Sequence, residues 1–296
     1  MRSSWQHKDV AELRRRSRRR HRLGRVGIYV AAAFFAFLAV FPFSWALISM
    51  FKRSSDLYVK DNNPFWLNEA PTLDHVRLLF FETNYLTFVR NTVVVGLAVT
   101  FITLAFALPT AYALARLRLR WGERMGIAIF LVYLVPPTLL FIPMTRVINT
   151  LGLQESLWSL IVVYPTITIP ISAWLLMGYF KGIPMDIEEQ AMVDGYSRLE
   201  AISKVVLPLI LPGVIAVIVF AFTLSSHEFI YALAFNKSSA VKTIATGVPT
   251  ELVRGDVFFW QSLQAAVVLV AIPIALLVNA FLDRFISGFT MGAVKG

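Results

Sequence analysis

Cysteine is absent from this 296-residue chain, so neither a disulfide framework nor a thiolate metal site is available, and cysteine usage says nothing about redox compartment. Histidine is nearly absent too. His7, His21, His75 and His227 are scattered through the sequence, and two of them have an acidic neighbour: His75 follows Asp74 and His227 precedes Glu228. Adjacent residues on a helix point in different directions, so neither pair is good material for shared chemistry. An intramembrane hydrolase or transferase would need a nucleophile with its base, paired carboxylates or a metal cluster. None is legible, and the sequence is read as a non-enzyme with no cofactor and no metal. Nor does any Gly-x-x-x-x-Gly-Lys-Ser/Thr stretch occur, so the chain has no ordinary loop for cradling nucleotide phosphates.

Charge is the third shortage. Charged residues make up 16% of the chain against 57% hydrophobic, with a mean hydropathy of +0.66, far from the balance of a soluble domain. Six runs contain no Asp, Glu, Lys, Arg or His: Val26–Phe51, Asn91–Ala115, Met125–Met144, Leu157–Phe180, Val205–Ser226 and Trp260–Leu282. About 20 apolar residues cross the hydrocarbon core, so the chain is predicted to be an all-α polytopic membrane protein of six transmembrane helices. The first run is too long for the apolar region of a signal peptide, and no small-residue cleavage pattern follows it.

The net charge of +10 could suggest a nucleic acid, but its placement argues for the membrane: much of it lies in ELRRRSRRRHRLGR, directly before the first run. Basic clusters there fix orientation. With that tail inside, 19 of the 28 Lys and Arg fall on the cytoplasmic side, which predicts that both termini are cytoplasmic. Lys52 and Arg53, just beyond the first run, oppose this locally.

Proline falls inside the spans at Pro136, Pro137, Pro165, Pro170, Pro208, Pro212 and Pro273. Each frees a carbonyl that a neighbour must satisfy, which predicts kinked helices packed in a bundle. Between the fourth and fifth runs lies EEQAMVDGYSRLEAISKVVLPLILPG. Pro184 suits the start of a short helix, with Asp186, Glu188 and Glu189 at its positive end. Gly195 can take the left-handed conformation that ends it. Ser197 and Glu200 have capping-box spacing for a second helix whose Leu199, Ile202, Val205 and Val206 form an apolar stripe. By pattern alone this bent elbow is either a connector resting on the membrane surface or a docking element for a cytoplasmic partner.

The stretch EQAMVDGYSRLEAISKVVLP resembles the EAA loop of permease subunits in bacterial ATP-binding-cassette importers. Glu189, Ala191, Asp194, Gly195, Leu207 and Pro208 match its pattern, while Gln190 and Tyr196 stand where it usually has alanine and Ile202 where it has phenylalanine. AYALARLRLRWGERM, IPMTRVINTLGLQES and GFTMGAVKG resemble, in order, further stretches of the carbohydrate branch, so the likeness covers roughly 91–296. The chain is similar to the second permease of the maltose-type sugar importers. That resemblance implies the type I permease fold and a bacterial inner-membrane location. It also implies partners: a second permease, a cytoplasmic ATPase dimer that supplies the energy and receives the elbow, and an extracytoplasmic solute-binding protein, in a lipid bilayer with no nucleic acid. The expected organisation is a basic cytoplasmic tail (1–25), a first helix with its outer loop (26–90), a five-helix core (91–285) containing the EAA loop (184–208), and a cytoplasmic tail (286–296).

Gly292, Ala293, Val294, Lys295 and Gly296 correspond to a tail that reaches toward the ATPase in the resembled family. SSHEFIYALAF sits where the family often has Trp-Asn-Asp/Glu-Phe, which makes Ser226, His227, Glu228 and Phe229 candidates for the translocation path or, equally, a polar cap at the interface. An ion-coupled secondary transporter is the alternative function, but its coupling generally needs intramembrane carboxylates, and the six runs have none. The solute itself is not named by the sequence.

Overall fold

Proline decides where the apolar runs stay helical and where they turn. In the computed structural model, which describes residues 3–117 and 122–293, four helical stretches are long and apolar enough to cross a membrane: Gly24–Ser49, Tyr85–Arg116, Leu157–Gly182 and Trp260–Ala280. The remaining two candidates are bent pairs, Arg124–Tyr133 with Pro137–Thr150 at 87° and Arg198–Leu209 with Leu211–His227 at 75°. The run Met125–Met144 is thus broken and not a single straight span. Pro136 is extended, at φ −60° and ψ 125°, as a residue preceding proline prefers. In the run Val205–Ser226 the turn falls at Ile210, with φ −92° and ψ 5°, two residues before Pro212.

The chain falls into two units, Met1–His75 and Val76–Gly296. The first holds α1 (Ser3–Ser49) and α2 (Ser54–Tyr58). Beyond α2 the chain folds around a buried ion pair, Lys52 Nζ to Asp56 Oδ2 at 3.7 Å. Asn62 and Asn68 donate to the Asp56 carboxylate, the Lys52 ammonium donates to the Asn63 carbonyl, and the His75 Nε2–H donates to the Lys52 carbonyl at 2.9 Å. Desolvation pushes the Asp56 carboxyl upward, but hydrogen bonds from Asn68 and the Lys52 charge outweigh it and hold the group below its ordinary value. Burial pushes His75 below its ordinary value, favouring the neutral ring.

α3 (Asp74–Glu82) contains the boundary, and the second unit follows. It comprises α4 (Tyr85–Arg116), α5 (Gly122–Tyr133), α6 (Pro137–Thr150), α7 (Leu157–Val163), α8 (Pro165–Gly182), α9 (Met185–Val193) and α10 (Arg198–Ala201). A π-helical turn (Ile202–Val206), α11 (Leu207–Leu209), α12 (Leu211–His227), α13 (Ile230–Phe235) and α14 (Ile244–Leu252) come next. A two-stranded hairpin, β1 (Val253–Arg254) and β2 (Val257–Phe258), precedes α15 (Trp260–Ala293).

α4 is the central element and packs along α8 and α12. One core cluster joins these three through Ala107, Ala111, Ala173, Leu176, Phe180 and Val214. A second joins α4 to α6, α7 and α13 through Val95, Val99, Ile148, Leu160 and Phe235. Small residues at these crossings let backbones approach closely where lipid offers no hydrophobic drive. Polar side chains within the core are returned to the backbone or to one another, as apolar surroundings require: Thr100 Oγ1 donates to the Gly96 carbonyl, and Thr103 and Thr168 share a 2.6 Å hydrogen bond between α4 and α8.

Candidate functional site

The elbow is built from local rules that the sequence states openly. α9 begins directly after Pro184 and carries Asp186 and Glu188 in its first turn, where the helix dipole favours negative charge. It ends in a Schellman motif: Tyr196 N–H donates to the Ala191 carbonyl and Gly195 N–H to the Met192 carbonyl, both at 3.1 Å. Gly195 sits at φ +97°, a conformation that costs any residue with a Cβ. α10 opens with a capping box in which the Ser197 hydroxyl accepts from Glu200 N–H and the Glu200 carboxylate accepts from Ser197 N–H. Lys204 then pairs with Glu200 at 3.0 Å while lying over the Tyr196 ring.

Beyond α10 the backbone widens into the π-helical turn, where Leu207 N–H reaches back five residues to the Ile202 carbonyl. Pro208 follows at once and cannot donate to a helical carbonyl, so the widened turn absorbs the missing bond. The elbow is thereby continuous with α11 and α12.

The residues singled out from the EAA pattern separate into two faces. Ala191 is buried and Leu207 packs against the core cluster. Glu189, Asp194, Gly195 and Pro208 are exposed. Beside them Val193 and Leu199 are 86% and 77% exposed, and Tyr196 is exposed as well. Leu199 therefore does not join the inward stripe with Val206, because the capping box turns the first residues of α10 outward before the helix meets the core. Asp186, Glu189, Gln190, Val193 and Asp194 line an open hollow of about 380 Å³. The face is apolar at its ridge and acidic at its hollow.

Sequence reasoning placed Glu188 only as charge at the start of the helix and missed its role in the bundle. It is buried, accepts a hydrogen bond from the Tyr112 hydroxyl, and faces Arg116. The available signal was Tyr112 and Arg116 at i,i+4 where the second apolar run ends, one helical face carrying a hydroxyl and a cation toward the following loops.

The candidates at the end of the fifth run also divide. Ser226 donates to the Phe222 carbonyl in its own helix at 2.7 Å. Glu228 accepts from the backbone N–H groups of Ile230, Tyr231 and Ala232 and from the Tyr164 hydroxyl at 2.8 Å, so it starts α13 and ties it to the Tyr164 turn between α7 and α8. His227 and Phe229 are exposed. Of the C-terminal candidates, Gly292 and Ala293 end α15, while Val294, Lys295 and Gly296 lie outside the described residues.

Comparison with known proteins supplies the context for this geometry. Residues 86–290 match the family described as binding-protein-dependent transport system inner membrane component. The chain is 34% identical over 269 residues to the sulfoquinovosyl glycerol transport system permease protein of Agrobacterium fabrum, covering 90% of this chain and 93% of the relative. It is 30% identical over 279 residues to the diacetylchitobiose uptake system permease protein of Streptomyces coelicolor, covering 94% and 100%. In fold it is similar to a crystal structure of a bacterial ABC transporter involved in import of the acidic polysaccharide alginate, with a TM-score of 0.75 and 18% identity over 89% of this chain and 96% of that one. With a family match across the whole second-unit bundle, relatives aligned nearly end to end and the same fold in a solved importer, the chain belongs to the inner-membrane permease components of binding-protein-dependent ABC importers.

Proposed function

We propose that this permease carries a sugar or sugar derivative inward, paired with a second permease and driven by a cytoplasmic ATPase dimer that receives the α9–α10 elbow. The observation that carries the reading is the elbow itself: a rigidly capped, outward-facing ridge of Val193, Tyr196 and Leu199 beside an acidic hollow, continuous with a helix of the bundle. Exposed apolar side chains on a capped polar turn mark an interaction surface. The relatives transport sulfoquinovosyl glycerol and diacetylchitobiose by their descriptions, which supports a glycoside or oligosaccharide as the solute, delivered by an extracytoplasmic binding protein. One solved neighbour is described as a complex with an alginate-bound periplasmic protein, in keeping with that delivery.

In this reading both termini and the elbow are cytoplasmic, by the distribution of Lys and Arg. Glu189, Ala191, Asp194, Gly195, Leu207 and Pro208 form the coupling segment, and the tail from Gly292 adds a contact to the ATPase. Ser226 and Glu228 hold the outer end of the fifth span in shape, while solute contact is assigned to His227 and Phe229, whose exposure supports it. The ion-coupled carrier is not favoured, since the relatives are ABC permeases.

The test is reconstitution of the complete transporter in proteoliposomes with its loaded binding protein and internal ATP. Gly195→Val is expected to insert into the bilayer normally and to abolish uptake. Full uptake by that variant would overturn the coupling assignment.

A further inference from the structure

Glu188 belongs to the elbow by sequence but to the bundle by burial. It is 3% exposed, beside Arg116 at 5%, while its neighbour Glu189 faces solvent. Tyr112 and Arg116 stand one turn apart at the end of α4, with the Tyr112 ring set edge-on against Phe180 of α8 at 5.6 Å. From that ring the hydroxyl donates to Glu188 Oε1 at 2.5 Å. Arg116 Nε lies 3.9 Å from Glu188 Oε2, beyond hydrogen-bond length, and Arg116 Nε, Arg116 Nη2 and Glu188 Oε2 are all buried without a hydrogen-bond partner.

A guanidinium and a carboxylate stripped of water yet short of bonding are in an arrangement that a small displacement would improve. Such a displacement has a place to come from. α9 packs against α10 and the π-helical turn, and a single π turn inside a helix is a rare irregularity found frequently at functional sites. It also has a place to go, because α4 is packed along α8 and α12 at the centre of the bundle. We propose that Tyr112, Arg116 and Glu188 form a two-state latch: Tyr112 holds Glu188 in both states, and the Arg116–Glu188 pair closes to direct hydrogen bonds when the elbow shifts, passing that shift into α4. These are positioning residues, acting through the bundle and not on solute or nucleotide. The proposal rests on the ATPase-coupled reading above and names the internal contact by which the elbow moves the bundle.

The experiment measures solute taken up per ATP hydrolysed by the complete transporter in proteoliposomes. Glu188→Gln keeps the volume and an acceptor for Tyr112 but leaves the Arg116 charge unpaired, and it is expected to lower uptake per ATP at least tenfold. Tyr112→Phe is expected to lower it less, and the exchange Glu188→Arg with Arg116→Glu to recover a measurable part of what either single reversal loses. A merely structural role predicts less assembled transporter with unchanged uptake per ATP, and that outcome overturns the latch, as does a charge exchange no better than the single reversals when complexes assemble equally. If the unaltered transporter shows no ATP-dependent uptake, the failure belongs to the proposed function and the latch falls with it.

Discussion

Two glutamates side by side, Glu188 and Glu189, show how much one helical step decides. A step of about 100° around α9 puts one carboxylate in the core and the other in the open hollow. At Gly195 the deciding property is backbone and not space. Nothing lies within 4 Å of where a Cβ would stand, yet φ is +97°, so any substitution is strained even though no neighbour resists it. Gly195→Ala is expected to cost about 1–2 kcal/mol of local stability, and Gly195→Val more, read as faster hydrogen exchange across α9 and α10. Equal exchange in all three proteins would show that the left-handed turn is not being enforced. Ser197→Ala removes the capping hydroxyl and is expected to cost about 1 kcal/mol, fraying α10 by the same measurement while leaving α12 protected.

Among elements, the segment that folds around the Lys52–Asp56 pair is the one whose stability follows pH. His75 is neutral in the fold and its ordinary value is 6.5, so the unfolded segment takes up a proton first as pH falls below that value, and stability drops with it. Asp56 has its pKa lowered from 3.8, so its contribution is complete above that value and is lost as pH falls further, through the folded-state pKa. Residues 52–72 are therefore expected to be protease-resistant at pH 7, more readily cut as pH falls below 6.5 and more readily still as it falls below 3.8; a flat profile would exclude this account. α14 makes a different demand. A Cβ at Gly247 would stand 2.4 Å from the Phe88 ring on α4, so Gly247→Ala forces the buried ring or its helix to shift and is expected to cost roughly 1–3 kcal/mol, visible as a lower midpoint of thermal inactivation. The broken runs belong to this scale as well. The sequence placed proline at both breaks, but a proline inside α4, Pro109, leaves its helix unbroken, so the residue type alone does not say which prolines turn the chain.

For the molecule as a whole, the absence of a phosphate-cradling loop makes a firm prediction: the purified chain alone is expected to hydrolyse no ATP and to move no solute against a gradient, and uphill uptake should appear only with the ATPase and second permease present. Uphill transport by the isolated chain would refute the subunit assignment. Local patterning was enough to establish the membrane setting, the number of apolar runs and the caps of the elbow, because those depend on composition, on helical periodicity and on contacts within five residues along the chain; the importer resemblance came from matching the EQAMVDGYSRLEAISKVVLP stretch to a known family. Tertiary structure decided the rest. Which glutamate is buried, which helices Glu228 ties together, and where two runs bend by 87° and 75° depend on pairs such as Tyr112–Glu188 and Tyr164–Glu228, separated by 76 and 64 residues. The partner in each pair is brought near only when apolar helices pack, and no period along the chain specifies that meeting.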